Sequence, residues 1–214
     1  MEKQTHRESE ERLEKFVDES GRFPDWRRLY READVEWMPW FHPALDADLK
    51  EAIDTLGIKR GRFLDIGTGP GNQAAHLAKL GFQVMGIDIA PAAIDRAHSL
   101  YPSVTFVVDD ILSTHLQGHF DFAFDRGCFH IFSPEERKNY LRNAARLIKH
   151  EGILFLKCFS NDEPERENGP YRYSSNEIEA LFSSDFTLES IHDTVYQGSL
   201  EPPPRALFSI LRRN

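Results

Sequence analysis

The sequence predicts an α/β fold, a three-layer sandwich around a seven-stranded, mostly parallel sheet that closes with an antiparallel hairpin. Three observations predict it. Short apolar runs alternate with helix-period segments from Phe63 to Cys158, the pattern that lays helices on both faces of a parallel sheet. A glycine-rich turn follows the first of these runs, where open α/β sheets bind ligands at the carboxyl ends of their strands. The last two strand-like runs, Phe186 to Tyr196 and Ala206 to Leu211, are joined through Pro202-Pro203-Pro204. Prolines cannot build a crossover helix, so these two strands pair as a hairpin.

The elements follow in order. Ser9 to Glu19 is charged with sparse apolar positions, which predicts a solvated helix. The aromatic stretch Phe23, Trp26, Tyr30, Trp37, Trp40 and Phe41 is interrupted by Pro24 and Pro39, so it is not one helix. From Pro43, Leu45, Leu49, Ala52, Ile53 and Leu56 recur at helical spacing and Gly57 suits the helix end. Phe63 to Ile66 is a buried strand, and the helix after its glycine turn carries Ala74, Ala75, Leu77 and Ala78. Phe82 to Ile87 is the second strand, and Pro91 opens the next helix. Val104 to Val108 and Phe120 to Phe124 are the third and fourth strands. Ser133-Pro134-Glu135-Glu136 is a capping box with proline at the first helical position, and its helix runs through Ile148 towards Gly152. Ile153 to Cys158 is the fifth strand, and Ser174 with Glu177 caps a last helix. Residues 1–42 read as an N-terminal helix with an aromatic lid and residues 43–214 as the main body of one compact unit.

Composition narrows the function classes. The 214 residues are 40% hydrophobic and carry a formal charge of −9, a field that repels polyanions unless a local basic patch overrides it. Nucleic acid is therefore not the expected partner. No apolar run approaches the ~20 residues of a membrane helix, and the charged amino terminus lacks the apolar stretch of a secretory signal. A cytoplasmic location is expected. The two cysteines, Cys128 and Cys158, have no metal-ligand spacing.

The chemistry is concentrated at Asp65-Ile66-Gly67-Thr68-Gly69-Pro70-Gly71. A dinucleotide site wants G-x-G-x-x-G with pyrophosphate on the helix N-terminus. Here the third glycine comes one residue early, and Asp65 would repel a pyrophosphate. The same carboxylate suits a ligand with a cationic amine, such as S-adenosylmethionine, which bears an ammonium and a sulfonium and no phosphate. A nicotinamide-dependent oxidoreductase is disfavoured on that ground.

An acidic residue followed by G-x-G-x-G resembles the first motif of the class I S-adenosylmethionine-dependent methyltransferases, whose fold is Rossmann-like. The resemblance covers about Phe63 to Cys158, and the terminal hairpin matches the family's usual ending. It implies that Asp65, Gly67, Thr68 and Gly69 cradle the cofactor. It also implies that Asp88, closing the second strand, holds the ribose hydroxyls and that Ile89 lies against the adenine. After the third strand, Asp109-Asp110-Ile111 offers the acceptor for the adenine amino group, with Asp110 preferred and Ile111 supplying an amide and an apolar contact.

Asp125-Arg126-Gly127 is similar to the thiopurine and small-thiol branch of that family. The likeness implies that Asp125 and Arg126 border the methionine moiety and the substrate, and that Trp37 or Trp40 closes over the cofactor. Each has a plainer alternative, since Asp125 and Arg126 could pair with each other or with neighbours. His130 is either a general base or a polar cap on the turn before Ser133. Cys128 lacks an evident activating base, and Tyr171 and Tyr173 either line the substrate entrance or fill a loop. A sulfonium is already an activated methyl donor, so placement and exclusion of water can supply most of the catalysis. The absence of a base motif favours a soft acceptor such as a thiol. A non-catalytic protein that binds S-adenosylmethionine would carry the same cofactor motifs.

Overall fold

The computed structural model describes residues 3–17, 24–166 and 169–214. Phe23, the first residue of the expected lid, lies outside them. The parallel part of the sheet comprises β1 (Arg62–Ile66), β2 (Gln83–Asp88), β3 (Thr105–Val108), β4 (Phe120–Arg126) and β5 (Ile148–Ser160). The chain closes with β7 (Phe186–Val195) and β8 (Arg205–Arg213), and the order is β3-β2-β1-β4-β5-β8-β7. β8 runs antiparallel to both β5 and β7, so the expected seven strands and terminal hairpin are present. An eighth strand, β6 (Arg172–Tyr173), adds two residues beside the end of β5.

Alternation along the strands sorts the core. Phe63, Phe124, Phe155 and Phe208 pack on one face with Leu49, Ala52 and Ile53 of α3 (Ala47–Thr55) and Leu77 of α4 (Asn72–Lys79). Their neighbours Leu64, Ala123, Leu154 and Leu207 face α6 (Pro134–Leu147) and α7 (Ser175–Phe182) on the other. That is the period of two expected of strands buried on both sides. α5 (Pro91–Leu100) closes a smaller cluster in which Ile94 and Ala97 meet Phe106.

Both expected capping boxes form. Ser133 accepts from the amide of Glu136, Ser174 from that of Glu177, and each glutamate returns the bond to its cap's backbone. Several boundaries differ from the sequence reading. The first helix spans His6–Leu13 rather than Ser9 to Glu19, with a 3-10 turn at Glu14–Phe16 after it, and Asp18 and Glu19 lie outside the described residues. α3 begins at Ala47 rather than near Pro43, because Asp46 is its N-cap and accepts from the amides of Asp48 and Leu49. α6 stops at Leu147, and Ile148 already belongs to β5. Gly152 lies within that strand, beside Glu151 in the left-handed region at φ 63°.

The N-terminal segment has its own small core. α1 (His6–Leu13) carries a Thr5–Glu8 capping box and α2 (Trp26–Glu32) is capped by Asp25. Leu29, Val35 and Met38 are buried among Phe16, Trp26, Tyr30, Trp37, Trp40 and Phe41, apart from the two clusters on the sheet. Backbone bonds moor this cap to the β7–β8 connection. The Gln4 amide donates to the Ser199 carbonyl, Glu201 donates back to Gln4, and the Ser199 amide donates to the Pro39 carbonyl. Among the described residues, no helix is long and apolar enough to cross a membrane.

Candidate functional site

β1 delivers the chain into a turn in which Gly67, Gly69 and Gly71 all take left-handed φ values of 68°, 52° and 84°. The Thr68 amide donates to the Ile87 carbonyl and the Gly69 amide to Asp88 Oδ2 at 2.9 Å, which fixes the turn against the end of β2. The other oxygen of Asp88 accepts from the Ala90 amide at 2.9 Å. Each carboxylate oxygen has two lone pairs, so Asp88 retains acceptor capacity after both bonds.

Buried carboxylates ring this turn. Asp65 is 2% exposed and accepts from the Thr68 hydroxyl at 2.6 Å. Burial pushes its pKa up to about 7, against the pull of the Thr68 hydroxyl and the Ala74 amide. Burial also raises Asp88 to about 6, against the bonds from Ala90 and Gly69. Asp125 is raised to about 6 by burial while it accepts from the Tyr140 hydroxyl at 2.8 Å and the amides of Cys128 and Phe129. Asp125 therefore organises the turn after β4 and does not pair with Arg126.

The N-terminal cap lies directly over the glycine turn. A cavity of about 60 Å³ separates them, lined by Tyr30, Met38, Trp40 and His42 above and by Asp65, Gly67, Thr68, Gly69 and Arg126 below. The Tyr30 hydroxyl accepts from Trp40 and sits where a Cβ on Gly69 would come within 2.8 Å of it. A water's share of liquid volume is about 30 Å³, and a ligand pocket has at least about 300 Å³.

Beside this cavity lies a buried ionic cluster that joins distant parts of the chain. Lys157 of β5 is 0% exposed and donates to Asp46 Oδ2 at 2.9 Å, to Asp48 and to Gln197. Arg126 donates to Asp46 at 2.9 Å, to the Trp40 carbonyl and to the Gln197 carbonyl, and its guanidinium stacks on Tyr196. Burial pushes the Asp46 carboxyl up, but the Lys157 and Arg126 charges outweigh it and hold the pKa below the ordinary carboxylate range. Two cations and two carboxylates thus tie the caps of α3, the ends of β4 and β5 and the β7–β8 connection together.

The residues singled out in the sequence divide. Asp65, Gly67, Thr68, Gly69, Trp40 and Arg126 line the one cavity, with Asp88 gripping it from behind. Trp37 does not line it; its ring lies beneath the Arg12 guanidinium and its carbonyl accepts from Gln4. Ile89 is half-buried just past the end of β2. Ile111 packs into the main core, and its carbonyl accepts from Asn143. Asp110 accepts from the Leu112 amide and the Ser113 hydroxyl, whereas its neighbour Asp109 has a buried Oδ1 with no donor. His130 is 5% exposed, and its Nδ1 accepts from the Phe159 amide. Burial, with Arg126 adding to it, lowers its pKa to about 3, too weak a base to take a proton near neutral pH. The thiol of Cys128 is raised by burial and by Asp125. Tyr173 stacks on Phe129 inside the core.

Tyr30, His42 and the Asp46–Lys157 pair did not stand out in the sequence. The one signal was a lysine inside the apolar run Ile153 to Cys158, since a cation on a doubly buried strand must be paired.

Known proteins agree with this geometry. A methyltransferase-domain family profile matches residues 63–152. An uncharacterised methyltransferase of Schizosaccharomyces pombe is 33% identical over 127 residues, which cover 56% of this chain and 88% of that one. This chain belongs to the S-adenosylmethionine-dependent methyltransferases. Thiocyanate methyltransferase 1 of Arabidopsis thaliana is 28% identical over 69% of this chain and 64% of its own. The 1,6-didemethyltoxoflavin-N1-methyltransferase of Burkholderia thailandensis, solved with bound S-adenosylhomocysteine, shares the fold. Its TM-score is 0.65 at 22% identity, over 77% of this chain and 76% of that one. The chain is thus an enzyme of the class I methyltransferase family, with a Rossmann-like fold and S-adenosylmethionine as its cofactor. The residues present fit that group: glycines bare the turn, and buried carboxylates face it.

Proposed function

We propose that this methyltransferase acts on a small soft nucleophile, a thiol or a related sulfur anion. The observation that carries the reading is the weakness of the bases around the cavity. Asp125 is fully engaged, His130 has a pKa of about 3, and burial, with Arg126 adding to it, lowers His42 below the ordinary imidazole range. A neutral imidazole is base enough for a thiol, whose ordinary pKa is about 8.5, but not for an alcohol. The thiocyanate methyltransferase likeness and the net charge of −9 also support a small acceptor over a nucleic acid. S-adenosylmethionine supplies a methyl group already activated on a sulfonium. The chain's own work is to hold the ribose at Asp88, receive the ammonium near Asp65, and exclude water beneath Tyr30 and Trp40.

Formation of S-adenosylhomocysteine with a panel of thiols, hydrosulfide, thiocyanate, amines and carboxylates tests the acceptor class. Sulfur nucleophiles are expected to turn over fastest, and turnover confined to amines or carboxylates would sink the reading. In the same complex, hydrogen exchange across residues 24–41 is expected to slow, as for a lid that closes on its ligand.

The pH dependence of binding follows from Asp65. Its folded pKa of about 7 lies above the ~3.9 of an unfolded aspartate. The group therefore costs stability progressively as pH rises from about 4 to about 7. A cationic amine beside it favours the ionised form, so ligand binding expels a proton below the folded pKa. S-adenosylhomocysteine affinity is expected to rise between roughly pH 5.5 and 7.5, and Asp65→Asn to abolish the rise. Calorimetry that found no proton release at pH 6 would contradict this placement of the ammonium.

A further inference from the structure

Away from the glycine turn, α6 and the start of the C-terminal hairpin line a second, open cavity of about 470 Å³ at the surface. Lys138, Arg142 and Arg146 reach it from one face of α6, at the i, i+4, i+8 spacing that aligns side chains along a helix. Arg213 reaches it from the end of β8. These four cations face one carboxylate, Asp185, in a chain whose net charge is −9.

Two of the cations are held rigidly. Arg146 donates to the carbonyls of Leu116 and Thr114, and Arg213 to those of Ala145 and Asp185. Arg213 also stands 3.8 Å from the Asp185 carboxylate, so that negative charge is already matched. The other two are exposed and uncommitted to any acid. Arg142 donates only to the Asn139 amide oxygen, and Lys138 meets no carboxylate among the described residues. Between the cations, Leu141 and Ala145 form an apolar floor.

We propose that this cavity binds a small organic phosphate: a doubly charged head among Lys138, Arg142, Arg146 and Arg213, and an apolar body on Leu141 and Ala145. Guanidinium forks match phosphate oxygens in pairs, and two of them are pre-set by backbone carbonyls, which lowers the ordering cost of binding. The volume lies in the range of small-molecule pockets. Nothing in the site depends on the methyl acceptor, so the proposal stands apart from the choice of substrate.

Phenyl phosphate, inorganic phosphate and benzyl alcohol separate the two halves of the site. Each is titrated into the protein saturated with S-adenosylhomocysteine, and the methyl resonances of Leu141 and Ala145 are followed. Phenyl phosphate is expected to move both and to bind more tightly than inorganic phosphate, and benzyl alcohol to do neither. In the Lys138→Gln/Arg142→Gln variant, phenyl phosphate affinity is expected to fall at least about tenfold. These side chains are exposed, so the melting temperature should hold, and S-adenosylhomocysteine affinity should stay at the wild-type value. Equal phenyl phosphate affinity in variant and wild type overturns the proposal. So do methyl resonances that stay still, or inorganic phosphate that binds as tightly, which marks general charge attraction.

Discussion

Replacing Asp46 with Asn is expected to cost about 3–5 kcal/mol, because it leaves the buried Arg126 without a carboxylate and Lys157 with Asp48 alone. Asp46 is 0% exposed, as is Lys157, and Arg126 is its second cation. Asparagine is a good N-cap, so the start of α3 survives the exchange and the loss reports on charge. At about 2–4 °C per kcal/mol for a chain of this size, the melting temperature should drop by roughly 6–20 °C. Lys157→Met in the Asp46→Asn background should recover part of it, since an apolar replacement of a buried pair is often neutral or better. The sign with pH follows from the lowered pKa of Asp46. A carboxylate whose folded pKa is depressed stabilises above its unfolded value of about 3.9 and loses that contribution as pH falls through the folded one. The gap between wild type and Asp46→Asn should therefore be widest near neutrality and close in acid. Indistinguishable melting curves at pH 7 would show that the cluster holds nothing together.

That cluster also marks where the sequence stops being legible. The capping boxes at Ser133 and Ser174 were readable because donor and acceptor lie three residues apart. Asp65 and Asp88 were readable because each closes a strand whose apolar run announces it. Asp46 and Lys157 are 111 residues apart and meet only because α3 returns across the end of β5. No local pattern encodes such a pairing; only the cost of burying an unpaired lysine hints at it.

Other misreadings have local causes. Ile148 suits the helix period of α6 and the strand period of β5 equally, and the left-handed residue in that region is Glu151, not a glycine. Asp109 and Asp110 are adjacent, so composition cannot tell which carboxylate turns to the following turn and which is left without a donor. Trp37 and Trp40 looked equivalent in an aromatic stretch, yet they meet different partners: one lies beneath Arg12, the other donates to Tyr30 and lines the cavity. β6 has only two residues and follows a proline-flanked segment, too short for any periodicity to show.

Gly71 is the glycine whose early position separated an adenosyl site from a dinucleotide site, and Gly71→Ala is expected to be among the most damaging changes of a single atom group in this chain. It is the N-cap of α4 at φ 84°, where an L side chain costs about 1–2 kcal/mol. A Cβ there would also come within 2.6 Å of the Phe106 ring and 3.0 Å of Ala97. Both neighbours are buried in the cluster with Ala74 and Ile94, so neither swings clear, and overpacking adds about 1–3 kcal/mol. The total of about 2–5 kcal/mol corresponds to a fall of roughly 4–20 °C in melting temperature. Gly81→Ala is the control. Gly81 has φ 96° but nothing within 4 Å of its would-be Cβ, so only the backbone cost applies. The difference between the two variants isolates crowding under the turn. If relief of that crowding displaces the turn, the Gly69 amide leaves Asp88, and S-adenosylhomocysteine affinity should fall in Gly71→Ala but not in Gly81→Ala. Equal losses of stability in the two variants, with binding intact in both, would mean that β3 and α5 yield freely and that the turn does not depend on a bare backbone at position 71.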